Sequence, residues 1–209
     1  MGQTAKGRAE ALYKLKMMVM TALFVALGYG ATSLLTIPAP GGGYLNLGDT
    51  IVLLGACLLG PVYGAAAGGL GPALADLLLG YGIYVPATLV IKALMGVTAA
   101  LLYRALRKKI WAVILGGAVA EAIMVAGYYL FESALAGSPA AGLAGVPGNL
   151  IQAAFSVVAS VLLTGALKKS AVGEKAVNLL EGVVLLALLL VVTAYLVDGS
   201  FNPFLYFRF

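Results

Sequence analysis

The sequence predicts an all-α, polytopic membrane protein. Three observations carry that expectation. Of the 209 residues, 62% are hydrophobic and only 10% are charged, against about 25% charged in a typical soluble domain. Apolar segments of roughly span length recur along the chain, divided by Pro, Gly or basic breaks. The basic residues gather in three groups between those segments. So few polar groups cannot cover a soluble surface of this size, and so apolar a chain is not intrinsically disordered. At about 20 residues per span, the length allows six or seven crossings.

Taken in order, the basic stretch Met1–Lys16 leads into a first apolar segment at 17–36. That segment is longer than a signal-peptide core and is predicted to remain as the first transmembrane helix, behind a cytoplasmic N-terminus of residues 1–16. Pro38, Pro40 and Gly41–Gly43 break the chain before the next segments, 49–59 and 61–79, which are divided by Gly60-Pro61. Further segments fall at 86–103, 110–135, 147–167 and 177–197. The breaks between them are Gly80-Tyr81-Gly82, Arg107-Lys108-Lys109, a Gly/Ala/Pro-rich stretch at 136–147, and Lys168-Lys169. Segment 49–59 rises only about 17 Å, roughly half of a 30 Å hydrocarbon core.

Charge bias resolves the short segment. If 49–79 were one helix, the Arg104–Lys109 cluster would fall on the opposite side from the N-terminal cluster. A hairpin broken at Gly60-Pro61 puts all three clusters on one side, and the positive-inside rule makes that side cytoplasmic. Of the 13 basic residues only Lys92 and Arg208 then stand apart. The N-terminus is expected inside. The aromatic tail Asp198–Phe209 is expected outside as an interfacial anchor, beyond a seventh helix at 177–197. The domain organisation expected is 1–16, a membrane domain at 17–168, and an extra helix with tail at 169–209.

Several chemistries are excluded by composition. The chain has no His, which removes Ser-His and Cys-His catalysis and histidine-held metals. The single Cys57 excludes an intramolecular disulfide. No G-x-x-x-x-G-K-[ST] loop is present, so ATP hydrolysis by that route is absent. The basic residues punctuate apolar segments as topology requires, so the net charge of +5 signals the lipid bilayer and not nucleic acid. No cofactor is expected.

Helix rise then sorts the polar residues by depth. Asp49 opens the second segment, Asp76 and Glu132 lie near the outer ends of the third and fifth, Lys92 is about two turns into the fourth, and Asn149 and Gln152 open the sixth. All fall in the outer half of the bilayer, while Glu121 lies nearer the midplane. Tyr44, Tyr81, Tyr84, Tyr128 and Tyr129 share the outer level and suit stacking on a planar ring with hydroxyls free to hydrogen-bond. Charges inside spans cost about 2.5–3.5 kcal/mol each and are paired or line a cavity. Convergence of many polar groups at one depth favours a ligand pocket. Two structural uses compete with it: Lys92 pairing with Asp76 or Asp49 to hold helices together, and Asp49, after Gly48, capping a helix. Small residues recur every four positions at Ala22, Ala26 and Gly30, at Gly64 and Gly68, and at Ala118, Ala122 and Ala126, giving faces on which helices approach closely.

The run from Tyr44 through Gly48-Asp49-Thr50 to Gly60-Pro61, the run Gly64-Ala-Ala-Ala-Gly-Gly-Leu-Gly-Pro-Ala-Leu-Ala-Asp76, and the run Pro86-Ala-Thr-Leu-Val-Ile-Lys92-Ala-Leu-Met-Gly96 together resemble the substrate-specific S components of energy-coupling factor (ECF) transporters. The similarity covers roughly residues 15–168 and is nearest to the group associated with hydroxymethylpyrimidine and vitamin B6-like compounds. It implies a six-helix bundle that binds a vitamin or precursor from outside and does not hydrolyse ATP. The implied partners are a coupling transmembrane protein and two cytoplasmic ATPase subunits, with transport by toppling of the S component. The family's helix-1 small-residue motif matches Ala22-Leu-Phe-Val-Ala26, and its ligand sites map onto Tyr44, Asn46, Lys92, Glu132, Asn149 and Gln152. The seventh segment has no counterpart in that pattern.

The expected protein is therefore a six-helix S-component-like bundle with a short broken second helix and a seventh C-terminal transmembrane helix, in a prokaryotic cell membrane. The expected substrate-binding residues are Tyr44, Asn46, Asp49, Asp76, Tyr84, Lys92, Tyr128, Glu132, Asn149 and Gln152. Ala22, Ala26 and Gly30 are expected to meet the coupling protein. An anionic ligand would pair with Lys92 and a cationic ring nitrogen with Asp76 or Glu132. The alternative is a self-contained secondary transporter, proton-coupled through Glu121, although no inverted repeat is evident. An intramembrane enzyme using Asp49 and Asp76 fits poorly, since both stand at helix ends without a further catalytic signature.

Overall fold

The computed structural model describes residues 2–34, 36–38 and 44–169, nearly all within one compact unit, Met1–Ala166. In chain order the elements are α1 (Gly2–Ser33), β1 (Ile37–Pro38), β2 (Tyr44–Leu45), α2 (Gly48–Leu59), α3 (Pro61–Leu78), α4 (Val85–Ala105), α5 (Ile110–Ala136) and α6 (Pro139–Lys169). Helices α1, α4, α5 and α6 are long and apolar enough to cross a membrane, and α2 is a shorter apolar helix.

The chain reverses at Gly60, as the charge argument required. Gly60 holds φ +83° and ψ −174°, a conformation open to glycine and strained for any residue with a Cβ. Pro61 follows at the start of α3, where its fixed φ suits a first helical turn. The reversed strands of helix then pair tightly. A Cβ on Gly64 would stand 2.9 Å from Ala56 Cα, and one on Gly68 would stand 2.9 Å from Val52 Cγ1. Helix α3 meets α4 as closely: a Cβ on Gly96 would be 2.7 Å from the Gly64 carbonyl oxygen. Backbone-on-backbone packing of this kind replaces the hydrophobic drive that lipid does not supply. It gives the short α2 a fixed seat between α3 and α4. Val52, Leu53, Ala56, Ile91, Met95, Ala99, Ala120 and Met124 form the buried core beside it.

Three features differ from the sequence expectation. The stretch 136–147, expected as a break between apolar segments, is helical from Pro139. Gly137 ends α5 in the left-handed region at φ +62°, and the Ser138 N–H returns to the Ser133 carbonyl at 3.0 Å, a Schellman-type stop. The chain thus turns in two residues, and Pro139 opens α6 at once. Gly145, Pro147 and Gly148 stay helical against their propensity, because backbone groups at membrane depth are best satisfied within a helix. Helix α1 begins at Gly2 and not at 17, so the basic stretch is helical. The segment between α1 and α2 carries a small antiparallel hairpin, with Ile37 opposite Leu45 and Pro38 opposite Tyr44, which the sequence did not announce. The expected seventh helix at 177–197 and the aromatic tail lie outside the described residues.

Candidate functional site

The polar residues meet at the end of the bundle that carries the β hairpin. Its centre is a buried ion pair between the Lys92 ammonium on α4 and Asp49 Oδ1 on α2. Lys92 is 2% exposed and Asp49 is fully buried. The close approach of Gly68, whose Cβ would stand 3.1 Å from the Lys92 carbonyl oxygen, fixes the α4 backbone at this level. Asp49 Oδ2 accepts a 2.6 Å hydrogen bond from Gln152 Nε2 on α6, so both carboxylate oxygens are bonded. The other end of the same amide, Gln152 Oε1, accepts from the Asn46 backbone N–H at 2.8 Å. One side chain of α6 therefore holds both the ion pair and the loop that enters α2. Asn46 Oδ1 in turn accepts from the Gly48 N–H at 2.8 Å, which ties the entering loop to the first residue of α2. Asp49 does not cap it, despite lying in the first turn.

Around this centre lies a cavity of about 40 Å³. Tyr44, Tyr81, Tyr84 and Tyr128 ring it, with Asn46, Asp76, Thr88, Lys92, Glu132, Gly145, Asn149 and Gln152 between them. The rings are mutually packed: Tyr44 and Tyr81 have centroids 4.8 Å apart, Tyr81 and Tyr84 6.2 Å, and Tyr84 and Phe131 5.2 Å. Tyr44 donates to Asp76 Oδ1 at 2.6 Å, closing one side. Burial, reinforced by the adjacent Asp76 carboxylate, pushes the Tyr44 hydroxyl well above the ordinary tyrosine range, so it stays a donor at physiological pH. Burial also raises Tyr84, with Glu132 adding to the effect. Tyr128 and Thr88 share a 2.9 Å hydrogen bond, and the Lys92 ammonium lies 5.3 Å from the Tyr128 ring centre, within cation–π range. Glu132 Oε2 is buried with no hydrogen-bond partner among the described residues, which makes it an open acceptor for a donor entering the cavity. Gly145 stands so close to Glu132 that a Cβ there would collide with its carboxylate.

Nine of the ten residues expected at the site therefore line one cavity: Tyr44, Asn46, Asp76, Tyr84, Lys92, Tyr128, Glu132, Asn149 and Gln152. Asp49 does not line it. It lies behind the wall, consumed by Lys92 and Gln152, and its role is to hold them. Because Lys92 is already paired, an anionic ligand would have to compete with Asp49 for it. Thr88 and Gly145 were missed. Thr88 lies one turn before Lys92 on α4, a spacing that puts the two on one face. Gly145 was hidden because its stretch read as loop. Ala22 and Ala26 are exposed and Gly30 is half-buried along α1, away from the cavity.

A membrane helix bundle with a tyrosine-ringed polar cavity at one end is the form of a membrane-embedded small-molecule-binding subunit. Residues 13–169 match the family described as ECF-type riboflavin transporter, S component, and the chain belongs to that family. Its members are substrate-binding subunits of transporters that work with an ECF transmembrane component and ATPases, and they are not enzymes. A solved structure reported as the S component of a bacterial ECF transporter shares the fold, with a TM-score of 0.58 over 75% of this chain and 97% of that one, at 20% identity. An "uncharacterized protein in gap 3′ region" of Pyrococcus woesei is 36% identical over 139 residues, covering 66% of this chain and 92% of that protein.

Proposed function

We propose that this chain captures a flat heteroaromatic vitamin at the hairpin end of the bundle and delivers it through a coupling transmembrane protein and two ATPase subunits. The observation that carries the reading is the convergence of four tyrosine rings with amide, carboxylate and ammonium groups on one cavity. The rings offer stacking faces, Asn149 and Asn46 offer amide hydrogen bonds, and Glu132 Oε2 offers a free acceptor. In this proposal the protein lies in a prokaryotic cell membrane with its N-terminus inside, its C-terminus outside and the cavity facing out. Ala22, Ala26 and Gly30 meet the coupling protein.

Riboflavin is the first ligand to test, from the family's description. A single-ring compound such as hydroxymethylpyrimidine or pyridoxine is the second, favoured by the small cavity: about 40 Å³ is room for only a few water molecules. Either ligand requires the wall to yield, and the Tyr44–Asp76 and Asn46–Gln152 contacts are where a ligand competes most directly. Riboflavin is fluorescent, so titrating the detergent-solubilised full chain into riboflavin tests the reading. Saturable quenching that Asn149→Ala weakens at least about tenfold (1.4 kcal/mol) supports riboflavin. No quenching, with a thermal shift for the single-ring compounds, moves the assignment to them. No response to any of these ligands overturns the capture reading.

A further inference from the structure

The end of the bundle opposite the cavity carries a concentration of charge of its own. Helix α4 runs about 20 Å beyond Lys92 before it stops at Ala105. Arg104, Arg107, Lys108 and Lys109 then fall close together, and no Asp or Glu occurs between residues 77 and 120. The four are not equivalent. A Cβ on Gly60 would collide with the Arg104 guanidinium, so that side chain is seated on the α2–α3 turn. Arg107 and Lys109 instead line a notch of about 230 Å³ at the α4–α5 turn, together with Ala105, Leu106 and Trp111.

The backbone of this turn is held against its preference. Arg107 has φ +57° and Lys108 φ +54°, a region that disfavours any residue with a Cβ and suits glycine. Two cations therefore stand where glycine would fit better. The notch also opens onto exposed apolar helix. Leu101 lies one turn before Ala105 and Leu115 one turn after Trp111, so each shares a face with a notch residue. Both are exposed, as is Trp111, and tryptophan is a residue of the membrane–water boundary. Positive charge, an indole and exposed apolar helix thus meet at one place.

We propose that this notch binds an anionic phospholipid of the leaflet opposite the cavity. Arg107 presents its guanidinium fork to the phosphate, and Lys109 adds a second, compact charge. Leu106 and Trp111 lie beside the start of the acyl chains, which continue along Leu101 and Leu115. A zwitterionic lipid fits less well, because its own cation meets the same basic cluster. An acidic protein segment would use the two cations but not the exposed apolar faces beside them. The site is separate from the tyrosine-ringed cavity and does not depend on what that cavity holds.

Trp111 is the sole tryptophan of the chain, so its fluorescence reports the notch directly. The full chain is reconstituted in phosphatidylcholine vesicles containing a small fraction of either phosphatidylglycerol or phosphatidylcholine brominated on the acyl chains, and quenching is compared. Two cations at about fivefold each predict that phosphatidylglycerol is preferred about ten- to thirtyfold. Arg107→Gln/Lys109→Gln should reduce that preference to about threefold or less. Lys14→Gln/Lys16→Gln removes equal charge from the N-terminal cluster and should leave it unchanged. Arg107→Gly suits the left-handed backbone, so it should unfold in detergent at or above the wild-type midpoint while lowering the preference about fivefold. Equal quenching by the two lipids on the wild-type chain overturns the proposal and leaves the notch to an acidic protein segment. So does a preference that survives both Arg107→Gly and Arg107→Gln/Lys109→Gln. A loss as large from Lys14→Gln/Lys16→Gln also overturns it, since the attraction is then general to the surface.

Discussion

The hairpin end and the middle of the bundle treat a buried carboxylate in opposite ways. Asp49 is fully buried, with Lys92 on one oxygen and Gln152 on the other. Glu121 is nearly as buried, with no hydrogen-bond partner among the described residues on either oxygen. Burying a charge is costly unless it is paired and hydrogen-bonded. Asp49 therefore reads as a completed piece of architecture, fastening α2, α4 and α6 around the cavity. Glu121 makes no such connection among the described residues. The same residue class thus fastens three helices in one region and none in the other.

The sharpest way to break this contrast is to remove one member of the completed pair. Asp49→Ala removes the carboxylate bonded to the buried Lys92 ammonium and should cost about 3–5 kcal/mol, read as a fall in unfolding midpoint in detergent. The double variant Asp49→Leu/Lys92→Met should lose less than either single change, because it leaves no uncompensated charge. Gln152→Leu comes next, since it frees one Asp49 oxygen and the Asn46 N–H, for about 1–3 kcal/mol and a clear loss of ligand affinity. Tyr44→Phe removes one hydrogen bond to Asp76 and should cost about 1 kcal/mol, with the ring packing retained. Glu121→Gln should be smallest, within about 1 kcal/mol of wild type in the isolated chain, because no hydrogen bond is broken. If Glu121→Gln destabilised as much as Asp49→Ala, the contrast would be false.

The sequence made much of this legible. The Gly60-Pro61 break and the positions of the basic clusters led to the α2–α3 hairpin, because glycine conformation and charge bias are both local signals. Depth arithmetic put Tyr44, Asp76, Lys92, Glu132, Asn149 and Gln152 at one level, and the cavity lies there. Rise along a helix fixes height but not direction around the axis. That is why Asp49 was grouped with the lining when it only bonds two of the lining residues, and why the choice of Asp49 over Asp76 as partner for Lys92 stayed open. Gly145 and the start of α6 at Pro139 were hidden for another reason. Gly and Pro read as loop in water, whereas a membrane favours keeping the backbone hydrogen-bonded within the helix. The β hairpin, with two residues in each strand, is too short to leave a periodic pattern.

The central claim is that the tyrosine-ringed cavity holds a vitamin. It is tested most directly by mass spectrometry of small molecules released when the purified full chain is unfolded, beside a Lys92→Ala/Asn149→Ala variant prepared identically. A single vitamin-like heteroaromatic compound, near one per chain from the wild type and depleted from the variant, is the predicted result. Equal amounts of the same compound from both preparations would place its binding elsewhere and contradict the account.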